Sequence, residues 1–474
     1  MIKADRMIVR PDPLIFRAYD IRGLLGTEID ENVARDVGRA FASLRQAAVG
    51  RFARLLIGRD NRPSSEGLAR RVMEGAAEAG ALVVDAGLVM TPMVYFGVAD
   101  GVFDGGLMVT GSHNPPEYNG FKMVEGDGVP ISTEAIQEMY RLIEQSRFWV
   151  GEGEIEEEFE AELTTRYLDA ISARVDLTSS PRVVVDAGNA VPGKYVPSLL
   201  RRIGCDVTEL FCDLDGSFPN HLPDPEMADN LKDLQREVVQ VAADIGLGFD
   251  GDGDRVGFID ETGKHYEADM LLLLLSRRFL NRHPGERILI DVKCSMALIE
   301  GIQTLGGVPI LTATGHTLIK RRMREEGVLL GGEVSGHMFI KDDWYGVDDA
   351  LLAACHLLEL LGYEGCSVSE LLESMPRYPS TPEIKLPCPD DQKFNVVSDM
   401  VAHFHELYPQ SLAIDGIRII TEDGWALIRA SNTSPYVTVR AEGRTEEGFH
   451  RLRRMVRLKI MEYDAVEVVD ALLD

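Results

Sequence analysis

RLLIGRD at residues 54–60 opens a pattern that returns twice, as RVVVDAG at 182–188 and RILID at 287–291. Each is a basic residue followed by a short apolar run that ends on an aspartate: Asp60, Asp186 and Asp291. Each then passes through a helix-like stretch and a glycine into a second apolar run, at ALVVDAG from Ala81, CDVTELF from Cys205 and VPILTAT from Val308. Continuous apolar runs of strand length that alternate with helices read as βαβ units, in sheets covered on both faces. The aspartates are spaced by about one domain length, so the pattern predicts three related α/β domains with mixed or parallel sheets.

The last hundred residues read differently. PEIKLPC from Pro382, IRIITEDGWALIRA from Ile417 and YVTVRAEG from Tyr436 are strand-like, and Glu422-Asp423-Gly424 is a hairpin signal. FNVVSDMVAHFHELY from Phe394 and TEEGFHRLRRMVRLKIMEY from Thr445 carry apolar residues at helical spacing. A C-terminal α+β domain is expected. The glutamate-rich segment from Glu152 to Glu162, read as a solvated linker and helix start, the GKHYEAD turn from Gly263, and the prolines from Pro376 to Pro389 place the boundaries. The expected domains are 1–158, 159–264, 265–373 and 374–474.

Charge narrows the function. With 77 acidic residues against 49 basic ones, the formal net charge is -28, which argues against nucleic acid and against anionic membranes as partners. The start, MIKADRMIVRPD, lacks the apolar core of a signal peptide. The six cysteines show no C-x-x-C pair and no zinc spacing, so they read as reduced thiols of a cytoplasmic protein.

Four segments carry chemistry. In LMVTGSHNPPEYNGFKM (107–123), an apolar strand runs into a turn at Thr110-Gly111-Ser112, which puts the Ser112 hydroxyl at the carboxyl end of a strand, where α/β folds place their sites. Ser112 is a candidate nucleophile or an ordinary turn serine. His113, as its neighbour in an extended chain, is expected to point away from it and to shape the loop. In ADIGLGFDGDGDRVGFID (243–260), glycines separate Asp250, Asp252 and Asp254, so three carboxylates can fold around one hard cation, Mg²⁺ above all. The spacing resembles an EF-hand, but Arg255 stands where that loop needs glycine. In LLGGEVSGHMF (329–339), Glu333, Ser335 and His337 alternate, as they would on one side of an extended loop, and suit sugar hydroxyls or a buried polar cluster. In LIRASNTSPYVTVRAEGRT (427–445), Arg429, Ser431, Asn432, Thr433 and Ser434, with Arg440 and Arg444 close in sequence, suit a phosphate cradle or a hairpin with surface arginines.

Together these segments resemble the α-D-phosphohexomutase superfamily, and within it the bacterial phosphomannomutase/phosphoglucomutase branch. T-G-S-H-N-P (110–115), D-G-D-G-D-R (250–255), G-E-x-S-G-H (332–337) and R-x-S-N-T (429–433) match its phosphoserine, metal, sugar and phosphate loops. FRAYDIRG (16–23) resembles its N-terminal segment. The resemblance implies four domains around a central cleft, with Tyr19, Lys293 and His316 at substrate-facing positions and Arg22, Lys122, Arg255 and His316 among the groups that assist catalysis. It also implies one Mg²⁺ per chain on Asp250, Asp252, Asp254 and Ser112. Phosphorylated Ser112 would donate to a sugar monophosphate, with a hexose 1,6-bisphosphate as activator and intermediate. Glu333, Ser335 and His337 would take the sugar, and Arg429, Ser431, Asn432 and Thr433 the phosphate. Lys122 and His316 stand open as general base. Phosphoglucosamine mutase is the nearest alternative, but its sugar loop usually has Gln where Val334 stands here, and GSFPNHLPDPE (216–226) resembles the mannose/glucose branch instead; a metal-dependent sugar phosphatase is a more distant one.

Overall fold

The computed structural model describes residues 10–157, 159–431 and 435–469. They group into two compact units. The first runs to Tyr266 and adds Gly336–Val368; the second holds Glu267–Ser335 and continues from Ser369. Residues 336–368 of the expected third domain therefore pack with the first unit.

In the first unit, the amino-terminal sheet runs from edge to edge through Ile21–Leu24, Tyr118–Glu125, Gly105–Val109, Arg54–Arg59, Leu82–Leu88 and Glu154–Glu156. Its middle is parallel, and the 118–125 strand is antiparallel to its neighbours. The central strands are buried along their length, as their unbroken apolar runs require. Part of the acidic segment is edge strand rather than linker: Glu154–Glu156 pairs with Leu82–Val84. Its three exposed glutamate and isoleucine side chains leave a short charged edge, which discourages pairing with another chain. The second sheet orders His265–Tyr266, Val256–Asp260, Ile245–Phe249, Arg182–Asp186 and Asp206–Leu210. The Asp250–Arg255 turn joins two antiparallel strands of it.

The second unit contains a parallel set, Val308–Thr312, Arg287–Asp291 and Leu330–Gly332. It also contains the C-terminal antiparallel sheet Ile384–Pro387, Tyr436–Gly443, Gly424–Ala430 and Ile417–Thr421, with the helices Lys393–Leu407 and Glu446–Ile460 packed on it. Buried Arg418 ties the two parts of this unit. Its guanidinium lies 3.7 Å from the Trp425 ring centre and donates to the carbonyls of Val292 and Cys294, the latter at 2.9 Å. Glu442 accepts from the Met296 N–H at 2.7 Å and from Trp425 Nε1 at 3.0 Å. The three α/β domains and the α+β domain expected from the sequence are thus present. Among the described residues, no helix is long and apolar enough to cross a membrane.

One buried carboxyl makes the first unit sensitive to pH. Asp349 caps the helix Ala350–Glu364 by accepting from the Leu352 N–H at 3.0 Å, and it also accepts from the Tyr167 hydroxyl at 2.8 Å. Burial pushes its pKa up to about 7. A carboxyl raised on folding contributes stability below its unfolded pKa and loses it as pH rises through the folded value, here about 4 kcal/mol at most between pH 4 and pH 8. Asp349→Asn keeps the cap and the tyrosine contact without the titration. The wild type's melting temperature relative to this variant should fall steadily as pH rises from 4 through 7; a constant difference would remove Asp349 as the source.

Candidate active site

The aspartates that end the three repeated strands act alike. Each accepts from the backbone N–H two residues on: Asp60 Oδ1 from Arg62 at 3.0 Å, Asp186 Oδ1 from Gly188 at 2.9 Å, and Asp291 Oδ1 from Lys293 at 2.5 Å. This local turn starts the loop at each strand's carboxyl end.

In the first unit, Asp60 also receives the Thr110 hydroxyl at 2.8 Å and the Gly111 N–H at 3.2 Å, which fixes the start of the serine loop. Ser112 sits at φ 51°, a left-handed conformation, and is 1% exposed. Its Oγ donates to Asp250 Oδ2 at 3.1 Å and lies 3.2 Å from His113 Nδ1. The expectation that His113 points away is therefore corrected: it assumed extended backbone, and the left-handed residue turns the imidazole back onto the hydroxyl. Burial, then Arg255, Arg22 and Lys122, hold His113 well below the usual histidine pKa, so the ring is neutral.

The Asp250–Arg255 turn closes on the first of its own carboxylates. Asp250 Oδ1 accepts from the N–H groups of Gly253, Asp254 and Arg255 at 3.0, 3.1 and 3.1 Å. A Cβ on Gly251 would fall 2.4 Å from the Ser112 carbonyl, so glycine lets the two loops meet. Asp250, Asp252 and Asp254 are fully buried, and their oxygens lie within 4.8 Å of one another. Lys122 Nζ reaches Asp252 Oδ2 at 2.8 Å and Asp254 Oδ2 at 2.5 Å. Thr91 donates to Asp252 as well. Asp252 Oδ1 and Asp254 Oδ1 are buried with no hydrogen-bond partner. Three carboxylates around one ammonium, with two orphaned oxygens among them, fit a divalent cation. Burial, then Asp254 and Asp252, push Asp250 well above the ordinary carboxylate range. Burial also works against Asp254, but Lys122 and His337 outweigh it and hold that group low. The same carboxylates overcome the cost of burying Lys122 and raise its pKa, so it is a cation here rather than a base.

Arg255 Nε donates to His337 Nε2 at 2.9 Å, and His337 Nδ1 lies 3.1 Å from Asp348 Oδ2. Arg22 donates to Asn114 Oδ1 at 2.8 Å and pairs with Asp20. Tyr19 is half-buried in the loop just before the strand that carries Arg22.

In the second unit, Glu333 and Ser335 occupy a turn, not an extended loop. Glu333 Oε1 accepts from the Gly315 N–H at 2.6 Å, and Oε2 accepts the Ser335 hydroxyl at 3.1 Å. The next residue, Gly336, has φ 101° and begins the stretch that belongs to the first unit, where His337 takes its partners from Arg255 and Asp348. Lys293 is buried, 3.3 Å from Glu383, and His316 opens the helix His316–Glu326 right after Gly315. Burial, with Lys293 opposing it, pushes Asp291 up to about 6. Arg429 pairs with Asp415 at 2.8 Å, and the Ser431 N–H donates to the Tyr436 carbonyl at 2.9 Å. Arg440 and Arg444 are spent elsewhere, on Glu267 and on Glu300, so they do not extend the cradle. Asn432, Thr433 and Ser434 lie outside the described residues.

Sequence reasoning missed Thr91, Asp348 and Arg62, all of which touch the serine or metal loops or their partners. It noted Asp60 and Asp291 only as strand ends, although their recurrence was the signal.

Profiles of four consecutive domains match the chain: phosphoglucomutase/phosphomannomutase alpha/beta/alpha domains I, II and III at residues 13–149, 165–263 and 267–378, and the C-terminal domain at 383–459. A phosphomannomutase/phosphoglucomutase of Pseudomonas aeruginosa is 40% identical over 453 residues, which are 95% of this chain and 96% of that one. A phosphoglucomutase of Neisseria gonorrhoeae is 39% identical, over 94% and 96% of the two chains. The crystal structure of a phosphoglucomutase/phosphomannomutase family protein from Burkholderia thailandensis superposes with a TM-score of 0.89 at 38% identity, over 97% of this chain and 100% of that one.

Proposed function

The chain belongs to the phosphoglucomutase/phosphomannomutase family, and from that premise we propose that it interconverts the 1-phosphates and 6-phosphates of glucose and mannose through phosphorylated Ser112. The observation that carries this reading is the Ser112 hydroxyl in hydrogen-bond contact, at 3.1 Å, with the first carboxylate of a buried acidic triad. A serine so placed can hold a phosphoryl group where its charge is neutralised, and phosphoryl transfer needs positioning and neutralisation above all.

In the forward direction the free hydroxyl of a sugar monophosphate attacks the phosphorus on Ser112. The bond from phosphorus to Ser112 Oγ breaks as the bond to the sugar oxygen forms, and a hexose 1,6-bisphosphate results. After the bisphosphate turns over, Ser112 Oγ attacks its other phosphate and the isomeric monophosphate leaves. Asp250, Asp252 and Asp254 would hold Mg²⁺, which when bound supplies Lewis-acid neutralisation of phosphoryl oxygen. Lys122, Arg255 and Arg22 offset charge on the equatorial oxygens. Lys122 is held charged by its aspartates, so His316 is kept as the candidate proton acceptor. Glu333, Ser335 and His337 take sugar hydroxyls, Tyr19 and Lys293 help to seat the substrate, and Arg429 with Ser431 takes the non-reacting phosphate. The reduced thiols and the acidic surface support the cytoplasm as its compartment.

The test is twofold. Incubation with glucose 1,6-bisphosphate should add one phosphate to the intact protein, on Ser112. Mannose 1-phosphate and glucose 1-phosphate should then both be isomerised and glucosamine 1-phosphate not. Inorganic phosphate released as fast as isomer forms would make the protein a phosphatase, and turnover of the glucosamine ester would move it to the phosphoglucosamine branch.

A further inference from the structure

Ser112 owes its placement to an arginine that no motif includes. The Arg62 side chain is fully buried, and each of its five N–H groups has an acceptor. Nη2 donates to the carbonyls of Ser112 at 2.7 Å and Asn114 at 2.6 Å, and Nη1 to those of Pro115 at 2.7 Å and Tyr118 at 3.1 Å. Nε donates to Asp60 Oδ2 at 3.1 Å. One guanidinium thus gathers four carbonyls of the turn that carries the nucleophile. The Phe218 ring, whose centre is 5.0 Å away, covers it.

The other end of Ser112 is tied to the same aspartate. Its N–H donates to Thr110 Oγ1 at 2.8 Å, and that hydroxyl donates to Asp60 Oδ2. Both peptide groups flanking a residue at φ 51° are therefore fixed, which leaves the direction of Oγ little freedom. Because a trans peptide sets C=O and N–H on opposite sides, the carbonyl held by Arg62 also turns the His113 N–H away from the guanidinium. Gly111 is part of the fit: a Cβ there would lie 2.5 Å from the Arg62 guanidinium carbon.

We propose that Arg62 is a positioning residue for phosphoryl transfer: it touches no substrate, and it sets the line of the Ser112 oxygen by holding the carbonyls of its loop. This rests on the phosphoserine reading above. Lysine cannot replace it, since three donors on one nitrogen do not span four carbonyls and a carboxylate.

The experiment uses the full-length enzyme with Mg²⁺. Arg62→Lys and Arg62→Met are compared with wild type for kcat and KM, and for the rapid-quench rate of a single phosphoryl transfer from phosphorylated Ser112 to glucose 6-phosphate. A misplacement of about 1 Å is expected to lower both kcat and the single-transfer rate by about 100-fold, with KM within about threefold and no rescue by lysine. Tyr167→Phe, which loses a buried hydrogen bond elsewhere in the unit, controls for stability: it should lower the melting temperature and leave the single-transfer rate alone. If the Arg62 variants transfer at the wild-type rate, or lose KM rather than kcat, the proposal is overturned. If they do not fold, Phe218→Leu decides: a several-fold slower transfer at unchanged KM supports it, and an unchanged rate overturns it. A wild type that takes up no phosphate on Ser112 would instead overturn the phosphoserine reading itself.

Discussion

Ser112→Ala is expected to abolish steady turnover, by about 10⁴-fold or more, since removal of a covalent nucleophile costs on that scale. The neighbouring hydroxyl cannot stand in. The Thr110 hydroxyl is committed to Asp60 and to the Ser112 N–H, and Oγ of Ser112 is the hydroxyl that meets Asp250. Binding should survive, because the groups assigned to sugar and phosphate, Glu333, Ser335 and Arg429, are elsewhere in the chain. Calorimetric titration with glucose 1-phosphate should give an affinity within about threefold of wild type, while isomerisation followed by coupled assay falls to background. Loss of the Oγ hydrogen bond costs the fold about 1 kcal/mol, and alanine tolerates φ 51° no worse than serine does. Intact mass after incubation with the bisphosphate should show no phosphate. An acid-labile phosphate would place it on His113, whose neutral Nδ1 is 3.2 Å from the serine oxygen in the wild type. Turnover within tenfold of wild type would end the covalent mechanism.

Much of this was legible in the chain because it depends on short-range rules. An apolar run ending in aspartate is a strand with a turn at its carboxyl end, and the same Asp-to-N–H bond recurs at Asp60, Asp186 and Asp291. The Asp-Gly-Asp-Gly-Asp spacing brings three carboxylates together whatever surrounds them. What stayed hidden depends on backbone angles or on distant partners. The contact of His113 with Ser112 needs a left-handed serine, which composition does not announce. The left-handed backbone at Gly336, φ 101°, and the partners that His337 finds in Arg255 and Asp348 are of the same kind, and the alternation of Glu333, Ser335 and His337 announces neither. Arg440 and Arg444 looked like phosphate ligands until tertiary structure gave them Glu267 and Glu300. Arg62 is the plainest case: its acceptors are mostly backbone carbonyls, and every residue has one.

Lys122→Met should make the fold of the first unit depend on a divalent cation. The ammonium lies at 2.8 and 2.5 Å from two buried aspartates, and two further oxygens of the same residues have no partner. Methionine matches the length and apolar stem of lysine, so packing changes little while the countercharge is lost. Taking one partner from a buried ion pair costs about 3–5 kcal/mol, because the charge left behind stays desolvated. In EDTA the variant should therefore melt about 5–15 °C below wild type, as expected for a unit of this size. Excess Mg²⁺ at about 100 times its dissociation constant returns about 2.7 kcal/mol, so the variant in Mg²⁺ should recover most of the way to the melting temperature of the wild type in EDTA. Acid offers a second check. Without the ammonium, which lowers Asp250 and Asp254, burial is left to raise those two carboxyls on folding, so the variant's deficit in EDTA should grow as pH rises through the carboxylate range and shrink below it. Activity falls even with the cation present, by about 10²–10³-fold, if Lys122 also offsets charge on the transferring group. Scanning calorimetry in EDTA and in Mg²⁺ at two pH values reads all but the last. Equal melting of variant and wild type in EDTA would mean that Lys122 does not balance the triad, and the cation would lose its place between the three carboxylates.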